Sequence, residues 1–269
     1  MLVKRFSACF CLAVMFNASA ALAGEGPREI QDNSFLIEEA YNQEDGVIQH
    51  IFTYQHNKGN STQFTFTQEW PVPNQTHQLS YTIPVQKVKG DGQNDTGVGD
   101  VALNYRYQAV LKEGLAFAPR FSLILPTGDE KKGLGTGTLG YQVNLPLSVK
   151  LAERWVTHYN LGLTLTPDSR DAAGAKADTV ATNYGASAIY LASKNLNLML
   201  EIAGGAEQTV QGSGVTANEN SLLVSPGLRY AIDLGKLQVV PGVAFPIGFG
   251  PSKGEYGAFV YLSFEHPLF

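Results

Sequence analysis

Eight ionisable side chains in this chain recur at spacings that could handle charge. Glu69, Asp100, Arg106, Arg120, Arg154, His158, Glu201 and Arg229 each sit among apolar or aromatic residues in segments that alternate at every second position. Alternation of that kind puts the charges on one face of a strand and the leucines and aromatics on the other. Where such a face lines a channel, carboxylates and guanidinium groups of mixed sign bind or filter a charged solute. Where it does not, the same groups form a salt-bridge ladder that fills and stiffens the interior. Nucleophilic hydrolysis is the weakest reading. His158 has Asn160 and Arg154 as its neighbours on that face, and no Ser stands in a recognisable nucleophile context, so no catalytic residue is assigned.

Two motifs suggest cofactors and fail on context. Asp91-Gly92-Gln93-Asn94-Asp95 hints at calcium, but Thr96 replaces the glycine and Ala102 the final glutamate of an EF-hand loop. Gly135-Thr136-Gly137-Thr138-Leu139-Gly140 matches GxGxxG yet precedes a strand instead of a helix. No metal and no cofactor are expected.

The elements that must position the charges are strands. From Val47 onward the pattern predicts about twelve, with ten or fourteen left open. The first, over Val47–His56, has no clear inner face. The second (Ser61–Trp70), fourth (Val98–Ala109), fifth (Leu115–Leu125) and seventh (Arg154–Leu165) alternate most cleanly. The eighth is predicted over Val180–Leu191, the ninth over Asn195–Ala203, the tenth over Ser221–Ala231 and the twelfth over Tyr256–Glu265. Short connections such as Lys150–Glu153 and Ala192–Lys194 take turns with long ones such as Pro126–Thr138, Thr166–Thr179 and Gln208–Asn220. Gly99, Gly128 and Gly137 serve turns and strand entry. A soluble sandwich has no reason for that rhythm. An antiparallel up-and-down barrel crossing an outer membrane does, with tight periplasmic turns and longer outer loops.

The chain ends and composition agree. Lys4 and Arg5, the apolar stretch Phe6–Phe16 and Ala21-Leu22-Ala23 read as a signal peptide cleaved after Ala23. Both cysteines, Cys9 and Cys11, fall inside it. Removing residues 1–23 takes two basic residues and no acid, leaving 17 basic against 24 acidic residues and a formal charge of −7. That balance argues against nucleic-acid binding. Charged residues are 16% of the chain, below the ~25% typical of soluble domains. No run of about 20 apolar residues follows the leader, so a membrane protein is left only the closed barrel. Residues 24–46 form a periplasmic or luminal segment in which Ile30–Tyr41 could make one or two helical turns. Residues 47–269 form the barrel. Trp70, Tyr105, Tyr107, Tyr141, Trp155, Tyr159, Tyr184 and Tyr190 share the apolar face and form a candidate interfacial girdle in contact with outer-membrane lipid. Terminal Phe269 fits recognition by the barrel-assembly machinery, although Pro267 and the parity of Val260, Leu262 and Phe264 end the last strand near Glu265.

Three segments carry a family resemblance: Thr96-Gly97-Val98-Gly99-Asp100-Val101-Ala102-Leu103-Asn104-Tyr105-Arg106-Tyr107, Leu125-Pro126-Thr127-Gly128-Asp129 and Gly133-Leu134-Gly135-Thr136-Gly137. They resemble the outer-membrane family described as transporters of the meta-cleavage pathway of phenol degradation. The resemblance implies a barrel that passes small, often aromatic or apolar, compounds. The expected function is passive passage of a small solute and not catalysis. The rival is a non-conducting structural or surface-interaction barrel, and an outer-membrane lipid hydrolase is the third choice.

Overall fold

The computed structural model describes residues 30–90 and 93–268. The predicted leader and Phe269 lie outside the described residues. Twelve antiparallel strands follow one another around a closed barrel. The first is Val47–Asn57, the second Thr62–Pro71 and the third His77–Gly90. The fourth comes in two pieces, Gln93–Val98 and Val101–Tyr107, the fifth in Leu115–Phe117 and Arg120–Leu125, and the sixth in Gly140–Asn144 and Leu147–Ala152. Four long strands come next: Trp155–Arg170, Lys176–Leu191, Leu196–Gly212 and Val215–Tyr230. The eleventh is Leu237–Ala244 with Ile247–Gly248, and the twelfth is Gly257–Pro267. The first and twelfth pair continuously from Val47 opposite Pro267 to Asn57 opposite Gly257, so the sheet has no free edge. Lipid requires that closure, because an unpaired backbone amide costs several kcal/mol there.

The interruptions have local causes. Proline cannot donate to the ladder. Pro119 and Pro146 accordingly both lie at the break in the fifth and sixth strands, where the Ala118 N–H donates to the Pro146 carbonyl at 3.2 Å. At Gly99-Asp100 the fourth strand breaks opposite Pro84, whose carbonyl accepts from Gly99 N–H at 2.8 Å.

One face carries exposed apolar residues and the other turns inward. Leu103, Tyr105, Phe121, Val143, Leu161, Leu163, Leu200, Ile202 and Val260 are 39–58% exposed on the outer wall. Gln78, Arg106, Ser122, Asn144, His158, Glu201, Ser225 and Arg229 are 0–3% exposed on the inner side. The first strand's facing is now clear. Phe52 joins Phe64, Phe66 and Phe264 in an outer aromatic cluster with centroids 5.0–6.2 Å apart, while Gln49 and Ile51 point inward.

Three expectations change. The connections predicted at Thr166–Thr179 and Gln208–Asn220 are mostly ladder, closing in tight turns at residues 171–175 and 213–214. Their outer halves (Asp168, Thr179, Gln208, Asn218, Asn220) are polar on both faces, so the apolar alternation that marks a strand ends where lipid ends. The twelfth strand runs to Pro267, past Glu265. The ladder finishes at Pro267, where the missing N–H is no loss, and the next donor, Leu268 N–H, reaches the Gly46 carbonyl at 2.7 Å. Finally, no helix forms over residues 30–41.

Strand position decides what a charge costs. Leu161, 58% exposed, lies mid-wall opposite Tyr184, and Leu161→Arg should destabilise the folded barrel by roughly 2–4 kcal/mol. Val215, 56% exposed at an outer hairpin tip, should tolerate Val215→Arg at a cost of about 0–1 kcal/mol. Reversible urea unfolding in lipid vesicles reads both.

Candidate functional site

Residues 30–46 form a strap that runs around the inside of the barrel near the end carrying Val47, Pro267 and the short turns. By the orientation rule for such barrels, that is the periplasmic end. The strap makes no helix because the wall offers its backbone better partners than it offers itself. Ile30 N–H donates to Asn197 at 3.3 Å, and Leu36 and Ile37 N–H donate to the Glu201 carboxylate at 3.2 Å. Glu38 N–H donates to Asn160 at 2.7 Å and Ala40 N–H to Ser148 at 2.9 Å. Asn42 N–H reaches Gln108 at 2.8 Å and Gln43 N–H reaches Gln78 at 2.7 Å. Carbonyls are held too. The Arg229 guanidinium donates to those of Ile30 (2.6 Å), Asn33 (2.8 Å) and Asp32, and Arg106 to those of Glu39 (3.2 Å) and Tyr41.

Side chains of the strap complete the network. Glu38 accepts from Arg120 at 3.0 Å and Arg106 at 3.3 Å, and from the Asn144 amide at 2.7 Å. Burial raises the Glu38 carboxyl, but Arg120, Arg106 and Asn144 together outweigh it and hold the group below the ordinary glutamate value. Asp32 accepts from Tyr261, Ser263 and Gln49. An arginine surrounded by carboxylate and carbonyl acceptors makes charge-assisted bonds roughly twice as strong as neutral ones.

Of the eight charges picked out by alternation, six meet around this strap. Arg106, Arg120, Glu201 and Arg229 bind it directly. Glu69 stands behind Arg106 (4.0 Å) and accepts from Gln78 at 2.6 Å. His158 Nδ1 lies 2.7 Å from the Ser148 hydroxyl, under the Tyr41 ring. Asp100 does other work at the opposite end. Its carboxylate accepts from Gly128 N–H at 2.9 Å and from Thr136 N–H at 2.8 Å, folding the loop at residues 126–139 against the wall. Leu134 of that loop is 3% exposed, and its carbonyl accepts from Gln86 at 2.9 Å. Gly128 fits there because a Cβ would meet the Leu134 carbonyl oxygen at 2.2 Å. Arg154 is a correction. It is exposed at the tight turn after Ala152 and its guanidinium approaches the Tyr190 hydroxyl (3.5 Å) on the lipid-facing side of the periplasmic rim, because a turn residue does not obey strand parity.

Between strap and outer loop lies a cavity of about 350 Å³ lined by Phe35, Ile51, Thr53, Thr67, Thr82 and Gln142, among others. A wider mouth of about 820 Å³ opens above it, with Glu130, Thr164 and Arg170 in its wall. Sequence reasoning placed Asn160 on the inner face only as a neighbour of His158, and missed Gln78, Gln108, Ser148, Tyr261 and Ser263. The parity that selected the charges also selects these neutral polar positions. Nothing in the sequence marks Asp32 or Glu38 as their partners.

The girdle residues divide. Trp70, Tyr105, Tyr107, Trp155 and Tyr190 lie within two residues of periplasmic strand ends, and Trp155 packs on Tyr190 at 5.1 Å. Tyr141 is near the outer end of its strand and Tyr159 lies four residues into the seventh. Tyr184 is mid-wall, not at a rim, where its ring covers Gly204.

Removing Arg106 leaves two strap carbonyls and Glu38 short of a donor, so Arg106→Gln should loosen the strap by roughly 3–5 kcal/mol. A cysteine at Ile37, 3% exposed, should then react with a thiol reagent far faster than in the Arg106 protein. The same reporter gives the pH response. Because the Glu38 pKa is lowered on folding, its contribution is complete above about pH 4.3 and is lost as pH falls through the lowered value. Normalised to a freely exposed cysteine, which removes the thiol's own ionisation, labelling should rise as pH falls through the lowered Glu38 value, and Glu38→Gln should abolish that rise.

Comparison with solved structures gives the same architecture. An outer membrane channel from Pseudomonas putida F1 superposes with a TM-score of 0.65 at 13% identity, over 88% of this chain and 99% of that one. The NanC porin gives 0.55 at 9% identity over 81% and 100%, and the translocator domain of an autotransporter from Neisseria meningitidis gives 0.51 at 11% identity over 84% and 89%. At such identities the likeness is one of fold, that of outer-membrane barrels. No curated protein matches the sequence. Residues 42–264 match the model of the family described as "Putative MetA-pathway of phenol degradation", and the chain belongs to that family.

Proposed function

We propose that this protein is an outer-membrane channel for passive passage of a small solute, and that the strap is its periplasmic constriction. One observation carries the reading. The strap packs Ile30, Phe35, Ala40 and Tyr41 on the wall, but its backbone is also matched group by group to polar side chains of the wall, while the wall's own ladder closes without it. A segment that only filled a core would need no such match between its backbone and the polar groups of the wall. Here its removal leaves a ring of polar groups that water satisfies, which is the lining a pore needs. The outer cavity supports the same path, since threonine hydroxyls and amides (Thr53, Thr67, Thr82, Asn104, Gln142) line it. The path is narrow, with polar groups of both signs and no continuous greasy track.

Planar-bilayer recording tests this. The full chain should show small, intermittent currents, and a variant lacking residues 24–42 should show a steady conductance several times larger. A strap-deleted barrel that folds, judged by heat-modifiable migration in gels, yet carries no current would contradict the channel and favour a structural or surface-interaction role.

A further inference from the structure

The strap presents one aromatic ring and one carboxylate, three residues apart, to a single patch of wall. The Phe35 ring lies on Gly227 and Gly242, where an added Cβ would come within 2.5 and 2.6 Å of its carbons. Phe259 (5.7 Å, tilted) and Tyr261 (6.1 Å, edge-on) flank it, and Ala244 and Ile51 complete the slot. Glycine weakens a strand interior unless something must approach closely. Two such glycines on adjacent strands make a flat apolar slot one ring thick. The Asp32 carboxylate sits at its end and takes three donors from the wall: the hydroxyls of Tyr261 and Ser263 and the Gln49 amide. Arg229, fully buried, spends its guanidinium on neutral carbonyls of the strap, and its Nε has no hydrogen-bond partner among the described residues. The cavity above the strap opens on Phe35 and Tyr261.

We propose that this patch is a binding site for an aromatic carboxylate, occupied at rest by the strap's own Phe35 and Asp32. On exchange, the ligand ring takes the Gly227–Gly242 slot between Phe259 and Tyr261. Its carboxylate takes the three donors now held by Asp32, and Arg229, released from strap carbonyls, faces it as the counter-charge. The ligand therefore competes with a tethered segment, and its apparent affinity is reduced by the fraction of molecules whose strap is seated. The site deepens the channel reading by naming a solute class and rests on that reading for its purpose, but binding itself does not depend on conduction.

Calorimetric titration of the full chain in detergent with benzoate is the test, with acetate and benzyl alcohol as probes lacking the ring or the charge. The double variant Asp32→Asn with Phe35→Ala, both in the strap and outside the barrel ladder, should bind benzoate at least about tenfold tighter than the unaltered chain. Acetate and benzyl alcohol should bind it at least about tenfold more weakly than benzoate does, and adding Arg229→Gln should reverse the gain. Equal benzoate affinity in the two proteins, no binding to the double variant, or acetate binding as well as benzoate would each overturn the site. A protein that conducts ions but takes up no benzoate refutes the site and leaves the channel. One that binds benzoate in this strap-dependent way but carries no current keeps the site and refutes the channel.

Discussion

A barrel interior enclosed by lipid cannot leave its polar groups dry and unpaired, and the arrangement of this protein follows from that constraint. Three arginines, several carboxylates and a set of amides and hydroxyls point inward from eleven of the twelve strands. Each needs a partner, since an orphaned buried donor costs about 1–3 kcal/mol and a charge more. The strap supplies those partners with its backbone. Its amides satisfy Glu201, Asn160, Ser148, Gln108 and Gln78, and its carbonyls satisfy Arg229 and Arg106. That exchange is symmetrical. A chain segment without regular structure cannot lie buried unless something replaces the hydrogen bonds of a helix or sheet.

The same constraint separates the two ends of the lumen. Near the periplasm, long charged side chains reach the strap across the bore. Toward the outside the inner face shortens to Thr53, Thr65, Thr67, Thr82 and Gln142, and the facing hydroxyls bond to each other, as Thr67 and Thr82 do at 2.9 Å. There the bore is narrowed instead by the loop at residues 126–139, pinned by a single carboxylate, Asp100. Strap and loop thus bracket one cavity, each fastened by polar side chains of the wall whose partners are mostly backbone.

The barrel was legible in the sequence because period-two alternation reports which side of a strand meets lipid. Strands such as Val101–Tyr107 and Trp155–Leu165 declare themselves in that way. Legibility failed where lipid stops deciding. The outer parts of the seventh to tenth strands are polar on both faces, so they looked like loops although Val210 and Thr216 still pair. It failed again at Arg154, a turn residue to which parity does not apply. The strap was the hardest. Its conformation is written in the wall, in residues 6 to 231 positions away, and its own sequence favours a helix start as readily as an extended run. Asp100 looked like a lining charge because its role depends on a loop that begins 26 residues later. Six of eight charges could be found by face alone, but their partners could not.

The seating of the strap is the claim on which these points converge, and a cross-link tests it most directly. The Ser34 and Ser187 hydroxyls lie 3.1 Å apart where strap meets wall, and the sequence has only two cysteines, Cys9 and Cys11, both in the predicted leader. With cysteines at both positions, the account expects a disulfide to form in intact outer membranes without added oxidant, visible as a reduction-sensitive shift in gel mobility. Two free thiols that label separately in the folded barrel would contradict it.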